Sequence, residues 1–286
     1  MWGPGVFGNL AHVSPYRALF LGVLILVLGL ALSLLLRPAP PSLADRLRAG
    51  GEVRLPPGTY RLEGALELGR GLRLLGAGQE RTRLLLAPGA YLQTPIGAGA
   101  VALLQGLTLE REGEEREAPP LLVVPAASRL ELAEAVLRGN LGGGLLFVRG
   151  EARVRGSLLE GGPMGVPNVV ALAEGGLAVL EEVTLRYGIH SALAIASGAR
   201  AELKGGQVGP TGHNGVLVQA GGSLLAEGVR FLGNPKAAVT ILGKAEVVLR
   251  HNRAEGGRYA LVLGPGAQPL LEGNQWQTRA VVARVE

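Results

Sequence analysis

His190 and His213 stand 23 residues apart, and further steps of about that length reach Lys236 and Tyr259, with Arg258 adjacent. Imidazole, amine, guanidinium and phenol recurring at one interval describe a surface for anions, on which each carboxylate or phosphate of an extended acidic polymer would meet a donor. The same two imidazoles could supply the general base of a metal-free lyase or epimerase. His, Lys and Tyr are also ordinary residues for a row of surface turns. The ligand-binding candidates are therefore His190, His213, Lys236, Arg258 and Tyr259, and no residue is assigned a catalytic role. Two histidines without a third ligand make a poor zinc site, and His251 falls in a different row. Neither a metal nor another cofactor is expected.

Carboxylates, the other usual source of chemistry, are distributed in a way that favours structure. Asp45 is the only aspartate, and all other acids are glutamates. Glutamate would serve a glycosidase, which needs two carboxyls set across a sugar bond. Yet Arg155, Glu181, Lys204, Glu227, Arg250 and Glu272 follow one another at 26, 23, 23, 23 and 22 residues, the long step absorbing an insertion around 161–167. Charge alternates in sign along this series, as expected of a solvated ladder of stacked pairs, each contributing roughly 0.2–1 kcal/mol. The remaining acidic cluster, around 110–117, is followed by Pro119-Pro120 and reads as a protruding turn.

Composition excludes several classes of function. The net charge of +5 rests on arginine, since the only lysines are Lys204, Lys236 and Lys244. The arginines are scattered and aromatics make up only 4% of the chain, which argues against nucleic acid as a partner. The absence of cysteine removes disulfides, thiol nucleophiles and thiolate metal sites. Arginine in preference to lysine, without cysteine, fits a heat-adapted protein or a GC-rich genome equally.

The elements that must position these residues are short and periodic. The triplets Leu122-Val123-Val124, Leu146-Phe147-Val148, Val170-Ala171-Leu172, Leu193-Ala194-Ile195, Val216-Leu217-Val218, Val239-Thr240-Ile241 and Leu261-Val262-Leu263 recur at 24, 24, 23, 23, 23 and 22 residues. A period so regular means a solenoid. Glycines between the triplets rule out helical repeats, which need ten or more residues of amphipathic helix. Strand alternation turns the outer residues of each triplet inward and the middle one outward, so coils stack aliphatic on aliphatic. The outward Val123, Phe147, Leu217 and Val262 would then form an apolar stripe.

Residues 18–36 form an uncharged, strongly apolar run between Arg17 and Arg37. As a helix it would extend about 28 Å, enough to cross a hydrocarbon core. The expected organisation is a tail over 1–17, a transmembrane helix over 18–36, a linker over 37–50 and a single all-β domain over 51–286. Prolines at 38, 40 and 41 occupy the place of a signal-peptidase site and favour an uncleaved anchor.

Val53-Arg54-Leu55-Pro56-Pro57-Gly58-Thr59-Tyr60, then Leu72-Arg73-Leu74-Leu75-Gly76-Ala77-Gly78 and Thr82, resembles the first coil of pectate-lyase-like right-handed parallel β-helix proteins. The resemblance implies a right-handed parallel β-helix of about 10 coils after the membrane helix, with the domain outside the cell membrane. Active sites in that family mostly use aspartates: with calcium in the lyases, in pairs or threes in the hydrolases, and with histidine in the epimerases. This solenoid contains no aspartate. The expectation is a membrane-anchored, non-catalytic envelope protein that binds an acidic polysaccharide or another envelope protein. The alternative is a tethered polysaccharide lyase or epimerase built on His190 and His213. Oligomeric state is left open.

Overall fold

The computed structural model describes residues 23, 24, 26–28, 41–113, 115–139, 142–162 and 164–285. Two compact units divide the chain, Met1–Ser42 and Leu43–Glu286. In the first, residues 23, 24 and 26–28 are helical. The expected membrane helix at 18–36 otherwise lies outside the described residues, and among those described no helix is long and apolar enough to cross a membrane.

In the second unit three parallel sheets of ten strands each wind around one core. The first sheet runs from Glu52–Arg54 to Leu270–Glu272, the second from Gly58–Leu62 to Gln275–Gln277, and the third from Ala65–Glu67 to Ala280–Arg284. Each coil contributes one strand to each sheet, which gives the ten-coil parallel β-helix of the right-handed type that the repeat and the resemblance led us to expect. The triplets form the third sheet, and the first five show the expected alternation, as in Leu146-Phe147-Val148, where the outer residues are buried and the middle one is half-exposed; in the last two the middle residues Thr240 and Val262 are buried as well. Register then stacks like on like, Leu122 on Leu146, Leu146 on Val170 and Val170 on Leu193. No coil buries its apolar face alone, so stability resides in these coil-to-coil columns.

A short corner joins the first sheet to the second, and its first residue has positive φ coil after coil: Gly106, Glu134, Gly156, Glu182, Gly205, Gly228, His251 and Gly273. The left-handed conformation suits glycine and strains the two glutamates and the histidine. At the last two corners an asparagine follows. Asn252 donates to Asn274 Oδ1 at 3.0 Å and to the Ala226 carbonyl at 2.9 Å, and its own Oδ1 accepts from Val229 N–H at 2.9 Å. These side chains satisfy backbone groups that the tight turn leaves without strand partners.

Helix α1 (Leu43–Ala49) closes the N-terminal end of the core. Leu47 is fully buried, Leu43 and Ala44 pack against the core, and the Leu47 carbonyl accepts a hydrogen bond from Gly69 at 2.7 Å. Part of the stretch expected as a linker, 37–50, is thus a cap. Without one the first coil's aliphatic residues would face water, which is why solenoids carry terminal caps.

Candidate functional site

The three outward faces differ in charge. On the first sheet Arg155, Glu181, Lys204, Glu227, Arg250 and Glu272 are all in register, as their spacing indicated. Lys204 pairs with Glu181 at 3.6 Å and with Glu202 at 3.4 Å, and Arg250 with Glu272 at 3.1 Å. Glu227 stands between Lys204 and Arg250 in register without itself closing an ion pair among the described residues. The second sheet carries another such series, Glu110, Arg138, Glu160 and Arg186. The outward column of the third sheet begins with Glu67 and Gln93 and is uncharged from there on, running Val123, Phe147, Ala171, Ala194, Leu217, Thr240, Val262 and Ala283. Of the expected stripe, Val123, Phe147 and Leu217 are half-buried. Val262 is buried outright. Arg149 lies 5.6 Å from the Phe147 ring and covers part of it.

Along the leading edge of this uncharged face runs a row of cationic and imidazole groups. Ser191 pairs with Asn214, Asn214 with Ala237, Ala237 with Tyr259, and Tyr259 with Ala280. The residues one position earlier are therefore stacked coil on coil: His190, His213, Lys236, Arg258 and Arg279. All five are exposed, and none pairs with a carboxylate among the described residues. The His190 and His213 rings lie 5.8 Å apart, tilted by 53°. Tyr259 falls one position beyond the row, half-buried, with the Arg258 guanidinium 5.2 Å from its ring. Of the candidates named from the sequence, four thus share a row and Tyr259 flanks it. Arg279 extends the row, on a coil shorter than the regular repeat, so the spacing of the histidines passes over it.

Beside His190 and His213, where the second sheet turns into the third, a cavity of about 610 Å³ is lined by residues of four successive coils. Met164, Tyr187, Ile189 and Pro210 form its apolar wall, and Arg138, Glu160 and Thr211 reach it together with several turn glycines. Met164, Tyr187 and Ile189 are 51%, 42% and 37% exposed, although each is large and apolar. Tyr187 holds a positive φ of 63°, a strained conformation that sets its ring beside Arg186, 5.1 Å away. The glycines let the coils approach this closely: a Cβ on Gly161 would collide with the Tyr187 carbonyl oxygen.

Glu160, the one carboxylate lining the cavity among the described residues, is committed to its neighbours. Arg138 Nε and Arg186 Nε each donate to it at 2.7 Å, one to either oxygen, and a second nitrogen of each guanidinium lies within ion-pair distance. Burial pushes its carboxyl up, but the hydrogen bonds and charges of the two arginines together outweigh burial and hold it below the usual carboxylate range. It is a bridging anion, with no oxygen left to act as acid or base. The sequence pattern does not display this cavity. Its charged floor does leave a trace, because Glu160 and Arg186 are separated by the same interval as Arg155 and Glu181, across the same insertion.

A scan against protein-family models and a search of curated proteins give no match. Among solved structures, the A-module of the mannuronan C-5 epimerase AlgE4 of Azotobacter vinelandii aligns with a TM-score of 0.48 at 15% identity, over 84% of this chain and 91% of the module. PfbA, a surface adhesin of Streptococcus pneumoniae, aligns at 0.41 and 10% identity, over 84% and 87%. The catalytic domain of a GH87 α-1,3-glucanase in complex with nigerose gives 0.36 and 11%, over 87% and 67%. Likeness at this level says nothing about the chemistry of this chain.

Proposed function

We propose that this chain is a membrane-anchored, non-catalytic binding protein that holds an extended anionic polymer, such as an acidic envelope polysaccharide, along the leading edge of its third sheet. The observation that carries the reading is the row His190, His213, Lys236, Arg258 and Arg279. The series from Arg155 to Glu272 and from Glu110 to Arg186 alternate in sign, and the stacked Arg230 and Arg253 share Glu255, whereas this row presents only donors and cations with no carboxylate partner among the described residues. Coils rise by about 4.8 Å, so an extended chain laid across them meets a new donor at each coil. Tyr259 and the half-buried apolar residues beside the row offer surface for sugar rings. The non-catalytic reading is supported by the two imidazoles, which are exposed and, among the described residues, lack the hydrogen-bonding partner that would orient a general base. The anchor in this reading is residues 18–36, with the solenoid on the outer side of the cell membrane.

The test is binding of the full chain, in nanodiscs, to polygalacturonate and to alginate at increasing salt, with neutral dextran as control. Binding should favour the uronates and weaken with salt. Lys236→Ala with Arg258→Ala should weaken it by about two- to thirtyfold, since each exposed cation contributes about 0.2–1 kcal/mol. Equal affinity for dextran, or an affinity indifferent to the double substitution, would remove the row from the binding surface.

A further inference from the structure

The cavity beside the row has properties that a sugar-binding site would not have. Its polar side chains are largely spoken for: Glu160 is held by Arg138 and Arg186, and the Thr211 hydroxyl donates to Asn234 Oδ1 at 2.9 Å. A polyhydroxylated ligand would find few groups to replace the water it lost on entering. The apolar side chains tell the opposite story. Between the N-terminal cap and the last coil, the exposed large apolar residues among those described are Ile96, Met164, Tyr187, Ile189 and Leu242, and three of these five converge on this one cavity. Hydrophobic side chains scattered singly over a surface need no explanation, but three lining one concavity do.

We propose that the cavity holds the hydrocarbon chain of a long-chain carboxylate, with the carboxylate group at the rim beside His190 and His213. Three observations fix this occupant. The wall of Met164, Tyr187, Ile189 and Pro210 matches a hydrocarbon, and methionine suits a flexible chain in particular. At roughly 30 Å³ per heavy atom, the share of a liquid water molecule, 610 Å³ accommodates on the order of 20 heavy atoms, the size of a common fatty acid. His190 directly follows Ile189, and His213 directly follows Gly212, so both exposed residues adjoin the cavity's lining in the chain without being part of it. Even uncharged, each imidazole offers one N–H donor to a carboxylate. This site shares the two histidines with the polymer-binding row but does not rest on that reading.

The experiment uses the full chain in nanodiscs and a photoactivatable long-chain carboxylate, with crosslinked peptides mapped by mass spectrometry. Label should concentrate on peptides containing 161–165 and 187–189. An excess of unlabelled stearate should displace it, and the same amount of stearyl alcohol should displace it far less. Ile189→Gln, an uncharged polar change at an exposed position outside the core columns, should lower site-specific labelling by about tenfold, a change of about 1.4 kcal/mol, while polygalacturonate binding is retained. His190→Ala with His213→Ala should abolish the preference for stearate over the alcohol while leaving labelling of these peptides in place. Lys236→Ala with Arg258→Ala reports on the polymer site, so failure of one reading is distinguishable from failure of the other. Labelling spread evenly over the chain, labelling insensitive to Ile189→Gln, or equal displacement by acid and alcohol would each overturn the proposal.

Discussion

Glu160→Gln is the substitution with the clearest expected consequence. The carboxylate is nearly buried, with a side-chain exposure of 9%, and it bridges Arg138 and Arg186, which are 41% and 34% exposed. A glutamine keeps the volume but offers one carbonyl to two guanidinium groups, and it turns its amide donors toward one of them. Breaking a fully buried charge pair costs about 3–5 kcal/mol. Here both arginines can recover water, so we expect a loss of about 2 kcal/mol, read as a fall in melting temperature of about 4 °C for a chain of this size. The pH dependence identifies the cause. Because the folded carboxyl is held below its ordinary value, its contribution is complete above the unfolded carboxylate pKa near 4.3 and is lost as pH falls through the lower folded value. Glutamine does not titrate. The melting curves of wild type and variant, recorded by circular dichroism from pH 7 to pH 3, should therefore differ at neutral pH and converge in acid. A variant as stable as wild type at pH 7, or a difference that persists unchanged to pH 3, would refute the bridging role.

Two further outcomes follow from the architecture. Lys204→Glu would place an acid between Glu181 and Glu227 and beside Glu202, so it should destabilise the fold by about 1 kcal/mol, and added salt should reduce the difference; denaturant midpoints at low and high salt measure both. Removal of residues 1–41 should yield a folded, predominantly β protein that no longer sediments with membranes, since α1 and every coil-to-coil column are retained; an unfolded or membrane-bound product would contradict the division of the chain.

The sequence alone determined what is periodic. Parallel coils stack residues at nearly constant separation, so the repeated triplets announce the third sheet, and the alternating charges from Arg155 to Glu272 announce the first sheet's ladder. His190, His213 and Lys236 are legible for the same reason. What depends on departures from the period was decided by the tertiary structure. The coil after Lys236 is shorter than the one before it, which puts Arg258 rather than Tyr259 in the row, and the next, shorter again, brings in Arg279. The insertion around 161–167 hid the series Arg138, Glu160 and Arg186. Helix α1 is only seven residues long, and only the open end of the core gives it a place. The cavity is the clearest case, because Met164 and Tyr187 come from turns, and Ile189 from the start of the strand Gly188–Ile195, where close contacts between glycines and neighbouring coils set the backbone. Register is a one-dimensional property that a sequence can display, whereas a concavity between three turns exists only after the coils have stacked.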